Sequence, residues 1–288
     1  MTKKDYRIFA IETDYWRPRT DYLQKIFNVL KGKLQDGDLV TISEKAISTA
    51  SGKILDESTI HPSMIAHFFA KYWMRYVWGY FLGILCHMKK KTIQRLRAYP
   101  IYEGSAHKQT ALSHVGFWQA LMYGSEGGID GSNLPYSFVS LPLENPQKIA
   151  KETSEYLKAK FGKHIEVMIL DTDKTYSFRN FHFTPRPSSI RGIKSCSGLP
   201  AYAIGRFLKL KRRATPIALT DYEIDIEEAL KIAELANRAR GFGAGRNVWD
   251  MAEAYGVELT KVTWDMLDQV EHKPIVIIRR LKPSQQPK

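Results

Sequence analysis

A helix that runs directly into a buried strand is the feature that most limits what this chain can become. Asn145-Pro146 places a capping residue before a proline at the first helical position. Ile149, Thr153, Tyr156, Leu157 and Phe161 follow at helical spacing, and Gly162 closes the run. Ile165 to Leu170 is then a short stretch rich in β-branched residues, read as a strand with Asp171 at its C-terminal end. The same alternation recurs along the chain. Tyr6 to Ile11 reads as a strand. Thr20 or Asp21 caps an amphipathic helix, Asp21 to Lys33, that carries Leu23, Ile26, Phe27 and Leu30. Asp36-Gly37-Asp38 is a turn and Leu39 to Ser43 a short strand. Asp225 to Arg240 reads as a long helix with Ile226, Ala229, Leu230, Ala233 and Ala236 on one face, and Ile275 to Ile278 as a closing strand. No internal repeat and no clear βαβ series emerges, so the expected class is α/β in the broad, mixed α+β sense.

The chain has 288 residues, which suffices for a sizeable core. Residues 1–280 are expected to form one domain and 281–288 a flexible tail. Within the domain, His61 to about Arg97 stands apart, and an aromatic-rich helical insertion is expected at about 61–100. It holds Phe68, Phe69, Tyr72, Trp73, Tyr76, Trp78, Tyr80 and Phe81. Aromatics at helical spacing point to core or subunit contact rather than to a cofactor box. The longest apolar run, Tyr76 to Cys86, has eleven residues, against the roughly twenty of a membrane span. It reads as a buried or interface helix, with interfacial membrane binding as the alternative. No secretory signal is expected over Met1 to Ile11, and Cys86 and Cys196 stand apart in no CxxC pattern. A reducing cytoplasm is the expected location. Thr184 to Pro200 reads as a Ser/Pro/Gly-rich loop.

The net charge of +13 draws anions such as nucleotides, phosphorylated metabolites, nucleic acid or acidic lipid without choosing among them. Lys89-Lys90-Lys91 through Arg97, and Lys209 to Arg213, read as solvated faces or loops. No nucleic-acid-binding motif accompanies the charge, so that partner is the least expected.

Oxygen-rich positions stand out for chemistry. Gly124 to Asn133 places four glycines around Asp130, Ser132 and Asn133, giving oxygen ligands on a permissive backbone. Asp171, Thr172 and Asp173 offer a second set where α/β sheets commonly bind ligands. Together they suit a hard cation such as Mg²⁺ or Mn²⁺. The same residues are also ordinary turn formers. A GxxxxGK[ST] loop is absent, and Gly241 to Gly245 follows a helix, as a stop and loop would. His107 and His114 can share a helix face, which is too little for zinc. No nucleophile elbow is present.

An ordered set of segments resembles a known family, the coenzyme F420-0:L-glutamate ligases. Asp36-Gly37-Asp38-Leu39-Val40 with Lys45, Ser48 and Gly52 is similar to its opening pattern. Gly127-Gly128-Ile129-Asp130-Gly131-Ser132-Asn133 resembles its G-[VI]-D-x-S-N motif, and Leu141-Pro142 with Asn145-Pro146 its LPxxP. Leu170-Asp171-Thr172 resembles its strand-end DT, and Lys273 to Arg279 its closing strand. The resemblance implies a mixed α/β fold in intertwined homodimers. It implies a ligase that uses GTP, or ATP, with Mg²⁺ or Mn²⁺ to join glutamate to a phosphorylated deazaflavin through an acyl phosphate. Asp130, Asp171 and Thr172 would hold metal, Asn133 would touch the nucleotide, and Glu44 and Lys45 would lie on it. The chain departs from the pattern at Thr49 and Ser51, at Thr13-Asp14-Tyr15-Trp16-Arg17 and at Lys174-Thr175. Near Ala239 the family has a metal-binding glutamine. Arg17 is a candidate for replacement charge at the nucleotide. The departures leave a diverged relative, with another acceptor or with binding alone, as the alternative.

Overall fold

The computed structural model describes residues 5–281 apart from 125, 188, 197 and 222; the expected tail lies, from 282 onward, outside the described residues. Nine strands are described: β1 (Tyr6–Thr13), β2 (Asp38–Ser43), β3 (Ile54–Asp56), β4 (Phe138–Ser140), β5 (Ile165–Phe178), β6 (Phe181–Thr184), β7 (Ile193–Ser195), β8 (Lys211–Leu219) and β9 (His272–Arg280). Seven form a mixed sheet in the order β1-β9-β2-β5-β6-β7, with β8 on the other edge of β5. β2 runs parallel to β5, and β9 runs antiparallel to both β1 and β2. β3 and β4 make a separate antiparallel pair.

Period-two alternation sorts the sheet into two cores. Val40, Ile42, Ile165, Val167, Ile169, Ile275 and Ile277 face one side, where they meet Ile26 and Leu30 of the helix Tyr22–Leu30 and Ala150 and Leu157 of the helix Pro146–Phe161. Leu39, Met168, Leu170, Val276 and Ile278 face the other, against Ala229, Ile232, Ala233 and Ala236 of the helix Ile226–Arg240. Local signals set the helix ends. Asp21 accepts from the Gln24 N–H and Asp225 from the Glu228 N–H, and Gly162 closes its helix in the left-handed region.

Three expectations need correction. Asp171 does not end its strand, because β5 continues to Phe178. What ends at this point is the pairing with β2, whose last partners are Ser43 and Leu170. β8 keeps pairing to Ser177, with a register shift between Asp171 and Lys174 that leaves Thr172 and Asp173 bulged out. On the other edge β6 rejoins β5 only at Tyr176. The run Lys209 to Arg213 is neither a loop nor a solvated face throughout. Its second half opens β8, and Arg213 is buried against Glu227 and Ser177. The loop expected over Thr184 to Pro200 holds β7 and opens a helix, Gly198–Phe207.

The aromatic block is helical as expected, over Met64–Phe68, Phe69–Leu82, Gly83–Leu85 and Lys90–Arg97. Its middle part is a π-helix of 14 residues, whereas π-helical winding is usually confined to single turns; nothing in the sequence signals this winding. Ala70, Met74, Trp78, Cys86, Leu96 and Tyr99 form the block's own core, packed on Tyr202 and Trp249. No described helix is long and apolar enough to cross a membrane.

Replacing the Asp225 cap with alanine should cost about 1 kcal/mol, read as a lower urea midpoint with an unchanged slope.

Candidate active site

The parallel register of β2 and β5 creates the site. Ser43 pairs with Leu170, so the next residues, Glu44 and Asp171, emerge side by side at the end of the paired stretch. Both are buried, as is Asp173 in the bulge. Three carboxylates in one apolar corner require a cation, and Arg186, fully buried, supplies it. Its Nη1 lies 2.9 Å from Glu44 Oε2 and its Nη2 3.0 Å from Glu44 Oε1. Nη1 also pairs with Asp171 and stands 3.9 Å from Asp173 Oδ2. Burial, reinforced by the charge on Asp171, pushes the Glu44 carboxyl up to about 7 against the pull of Arg186. Burial would raise Asp171 too, but Arg186, the Thr172 N–H and Lys45 outweigh it and hold that carboxyl below its ordinary value.

The glycine-rich segment lies directly on this corner. Gly128 has φ +100°, and a Cβ there would collide with the Arg186 guanidinium. Asp130 is fixed to Ser140 by two backbone hydrogen bonds of 3.3 and 3.0 Å. Its carboxylate accepts from the Ser132 N–H at 2.7 Å and pairs with Lys45. The Lys45 ammonium also donates to the Ser132 carbonyl and hydroxyl, each at 2.8 Å. Consecutive residues of the helix Glu44–Ala50 thus serve the two carboxylate centres, which draws together five of the expected site residues: Glu44, Lys45, Asp130, Asp171 and Thr172.

Asn133 and Arg17 are placed differently. The Asn133 amide is committed to the loop after the helix Ile226–Arg240. It accepts from Ala244 N–H at 2.7 Å and donates to the carbonyls of Phe242 at 3.2 Å and Gly245 at 3.0 Å. Arg17 pairs with Asp268 and sits 5.6 Å from the Trp264 ring centroid, so its charge is spent on a surface helix. Its neighbour Tyr15 does reach the loop, donating to the Asn133 carbonyl at 2.7 Å.

Glu44, Asp171 and Asp173 surround a guanidinium, and the described residues contain no cluster of three His, Cys, Asp or Glu side chains that could hold a metal ion. A resident dication does not fit that corner. Asp130 and Thr172 instead line a cavity, and they suit a cation that arrives on a ligand's phosphates, since Mg²⁺ commonly uses one or two carboxylates there.

That cavity measures about 850 Å³ and lies between the sheet and the helical block, within the size range of small-molecule sites. Asp130, Thr172 and Asp173 line it together with Arg206, Arg212 and Arg246, which bring positive charge, and with Tyr99, Tyr123, Tyr202 and Trp249, which bring rings. Arg95 lines it too, but is paired with Asp250 at 2.7 Å and Glu253 at 2.8 Å. A partly buried ionic group ties the block to the glycine-rich segment. His107 Nδ1 lies 2.8 Å from Glu57 and its Nε2 3.6 Å from Glu126, while the buried Lys108 reaches Glu126 at 2.8 Å. Burial opposes the charged imidazolium, but Glu57 and Glu126 together lift His107 to about 10. Burial likewise opposes the Glu126 carboxylate, and Lys108 and His107 hold it down at about 2.

With the geometry in place, kinship can be stated. The family model for F420-0:gamma-glutamyl ligase matches residues 10–226. The chain belongs to this family. An uncharacterized protein of Methanocaldococcus jannaschii is 35% identical over 295 residues, covering 97% of this chain and 99% of that relative. The gamma-glutamyl ligase match includes every segment that builds the carboxylate corner and the aromatic block. Residue pattern had missed Arg186 and the cavity's cationic and aromatic wall. Three acids near one strand end are a signal that a cation is needed, but spacing does not say which of 43 lysines and arginines the fold delivers.

Replacing Arg186 with methionine should destabilise the chain by about 3–5 kcal/mol, because the carboxylates stay buried without their partner. Adding Glu44→Gln to that variant should recover part of the loss in urea titrations. The ionic group predicts a pH dependence in two arms. The contribution of His107 is complete below its ordinary 6.5 and fades as pH rises towards about 10. That of Glu126 is complete above 4.5 and fades as pH falls towards about 2. Melting temperatures of His107→Gln across pH 6 to 10 should fall less steeply than those of the wild type.

Proposed function

We propose that this member of the gamma-glutamyl ligase family joins glutamate, or a similar amino acid, to a phosphorylated coenzyme F420 precursor at the expense of GTP or ATP. Family membership supports a ligase. The single observation that carries the reading to this site is the cavity, whose lining combines Asp130, Thr172 and Asp173 with arginines and a group of aromatic rings. An acceptor with a flat ring system and a phosphate matches those arginines and rings in chemistry.

In this reading an acceptor carboxylate oxygen attacks the terminal phosphorus of the nucleotide. The bond to the bridging oxygen breaks, and an acyl phosphate and a nucleoside diphosphate form. The amine of the amino acid then attacks the acyl carbon. The C–N bond forms, the C–O bond to phosphate breaks, and the amine gives up a proton. Mg²⁺ or Mn²⁺, carried in on the phosphates and met by Asp130 and Thr172, supplies charge neutralisation when bound. The chain's own residues do the rest. Lys45 can exchange Asp130 for a phosphate oxygen, Arg186 keeps Glu44 and Asp171 fixed, and the arginines orient the anionic acceptor. The helical block covers the cavity and limits water, which would otherwise hydrolyse an acyl phosphate.

A second reading, binding of a nucleotide or phosphorylated metabolite with another acceptor or without catalysis, draws on the occupation of the Asp171 corner by Arg186. Purified protein given F420-0, glutamate, GTP or ATP and Mn²⁺ separates the two. The ligase reading expects phosphate release coupled to a product heavier by one glutamyl residue. It also expects Asp130→Asn to lower kcat/KM by about a hundredfold, or about 2.7 kcal/mol. Nucleotide binding by calorimetry with no turnover on any amino acid leaves the second reading.

A further inference from the structure

One face of the aromatic block takes no part in the cavity or in the core. Phe68, Tyr72, Tyr76 and Tyr80 recur every four residues and stay exposed along the helix. Their rings follow one another with centroids 5.5, 6.3 and 6.3 Å apart. Aliphatic and further aromatic side chains extend the strip at both ends. Met64 is 88% exposed and Ile65 is open beside it; Phe81 is 73% exposed, with Ile84 and Leu85 following. Scattered apolar residues on a surface need no explanation, but a contiguous strip of this kind marks an interaction site.

The charge around the strip identifies what it faces. Residues 58–102 contain no aspartate or glutamate and seven lysines and arginines. Lys71 lies over the Tyr72 ring at 5.2 Å and Arg97 over the Tyr80 ring at 4.2 Å. Lys89 and Lys90 follow the helical end at Leu85, and both are exposed. Two copies joined by this face about a twofold axis would set like charges against each other with no acid to offset them. A nucleic acid would satisfy the cations and could stack on the rings, yet it would leave Met64, Ile65, Ile84 and Leu85 facing water. A surface that is anionic at its head and apolar beneath satisfies both halves at once: tyrosines at the headgroup level, aliphatic and phenyl groups below, and cations against phosphates.

We propose that the exposed face of residues 64–90 docks on a lipid bilayer with anionic headgroups, lying in the interface without crossing it. The rim of the cavity includes His87, Met88 and Lys89, so docking brings the cavity mouth to the membrane surface.

Sedimentation of the full chain with sucrose-loaded vesicles tests this. Vesicles of equal parts phosphatidylglycerol and phosphatidylcholine should carry the protein down, and pure phosphatidylcholine should not. Raising salt from 50 to 500 mM should weaken binding. Tyr76→Ser with Phe81→Ser should lower affinity about tenfold or more, and Lys89→Glu with Lys90→Glu should do likewise. These side chains are exposed, so melting temperatures should stay near the wild type and separate loss of binding from loss of fold. Failure to bind the anionic vesicles overturns the proposal, as does equal binding to neutral ones or vesicle binding indifferent to both double variants. So does a wild-type dimer in sedimentation velocity that Tyr76→Ser with Phe81→Ser dissociates, or binding to a poly(U) strand, without vesicle binding, that the same variant abolishes.

Discussion

The architecture of the site depends on one buried guanidinium. The parallel pairing of β2 with β5 brings Glu44 and Asp171 to adjacent strand positions, and the bulge beyond adds Asp173. Without a counter-charge that corner would repel itself in a medium that screens poorly. Arg186 resolves the conflict and does further work as it does so. It arrives from the loop after β6, bonds through its backbone to Thr184 at 3.3 Å, and gives the glycine-rich segment a surface to lie on. The position of Asp130, and with it the cavity wall, follows from that contact.

The ionic group around His107, three of whose members line the cavity, plays a corresponding part. Glu57 precedes the aromatic block, His107 and Lys108 follow it, and Glu126 opens the glycine-rich segment. Two positive and two negative groups close on each other, Lys108 and Glu126 buried and Glu57 and His107 half-buried, so the block is tied down by charge as well as by the packing of Trp78 and Tyr99. Both ionic clusters border the cavity, and the glycine-rich segment is the element that touches both.

Much of the fold was legible from local chemistry. The caps at Asp21 and Asp225, the stop at Gly162 and the β-rich runs in β2, β5 and β9 are short-range signals, and each element includes the residues that carry its signal, although β5 runs on past Leu170 to Phe178. β8 was not legible, because Lys211 to Arg213 hide its start behind charge and Pro216 interrupts its middle. Asp130 and Asp171 were found as residues, but their surroundings were not. Asn133 looked like a ligand contact and proves to hold a loop, while Arg17 turned to Asp268. Such outcomes are decided by partners more than a hundred positions away, and motif spacing contains no information about them. The family resemblance supplied what pattern could not, by naming the two acids together; the structure holds them in neighbouring centres, Asp171 on Arg186 and Asp130 on Lys45.

β5 has a consequence for how the site can open. It is one continuous strand of 14 residues, spanning about 45 Å. Its first half belongs to the central sheet, and its second half carries β6 and the far end of β8. The bulge with Thr172 and Asp173 lies between, held along one edge by β8 on either side. The floor of the cavity is therefore a rigid beam with a notch cut in it. Entry and exit of a ligand must be accommodated by the roof, where short helices, turns and glycines supply the compliance that the beam denies.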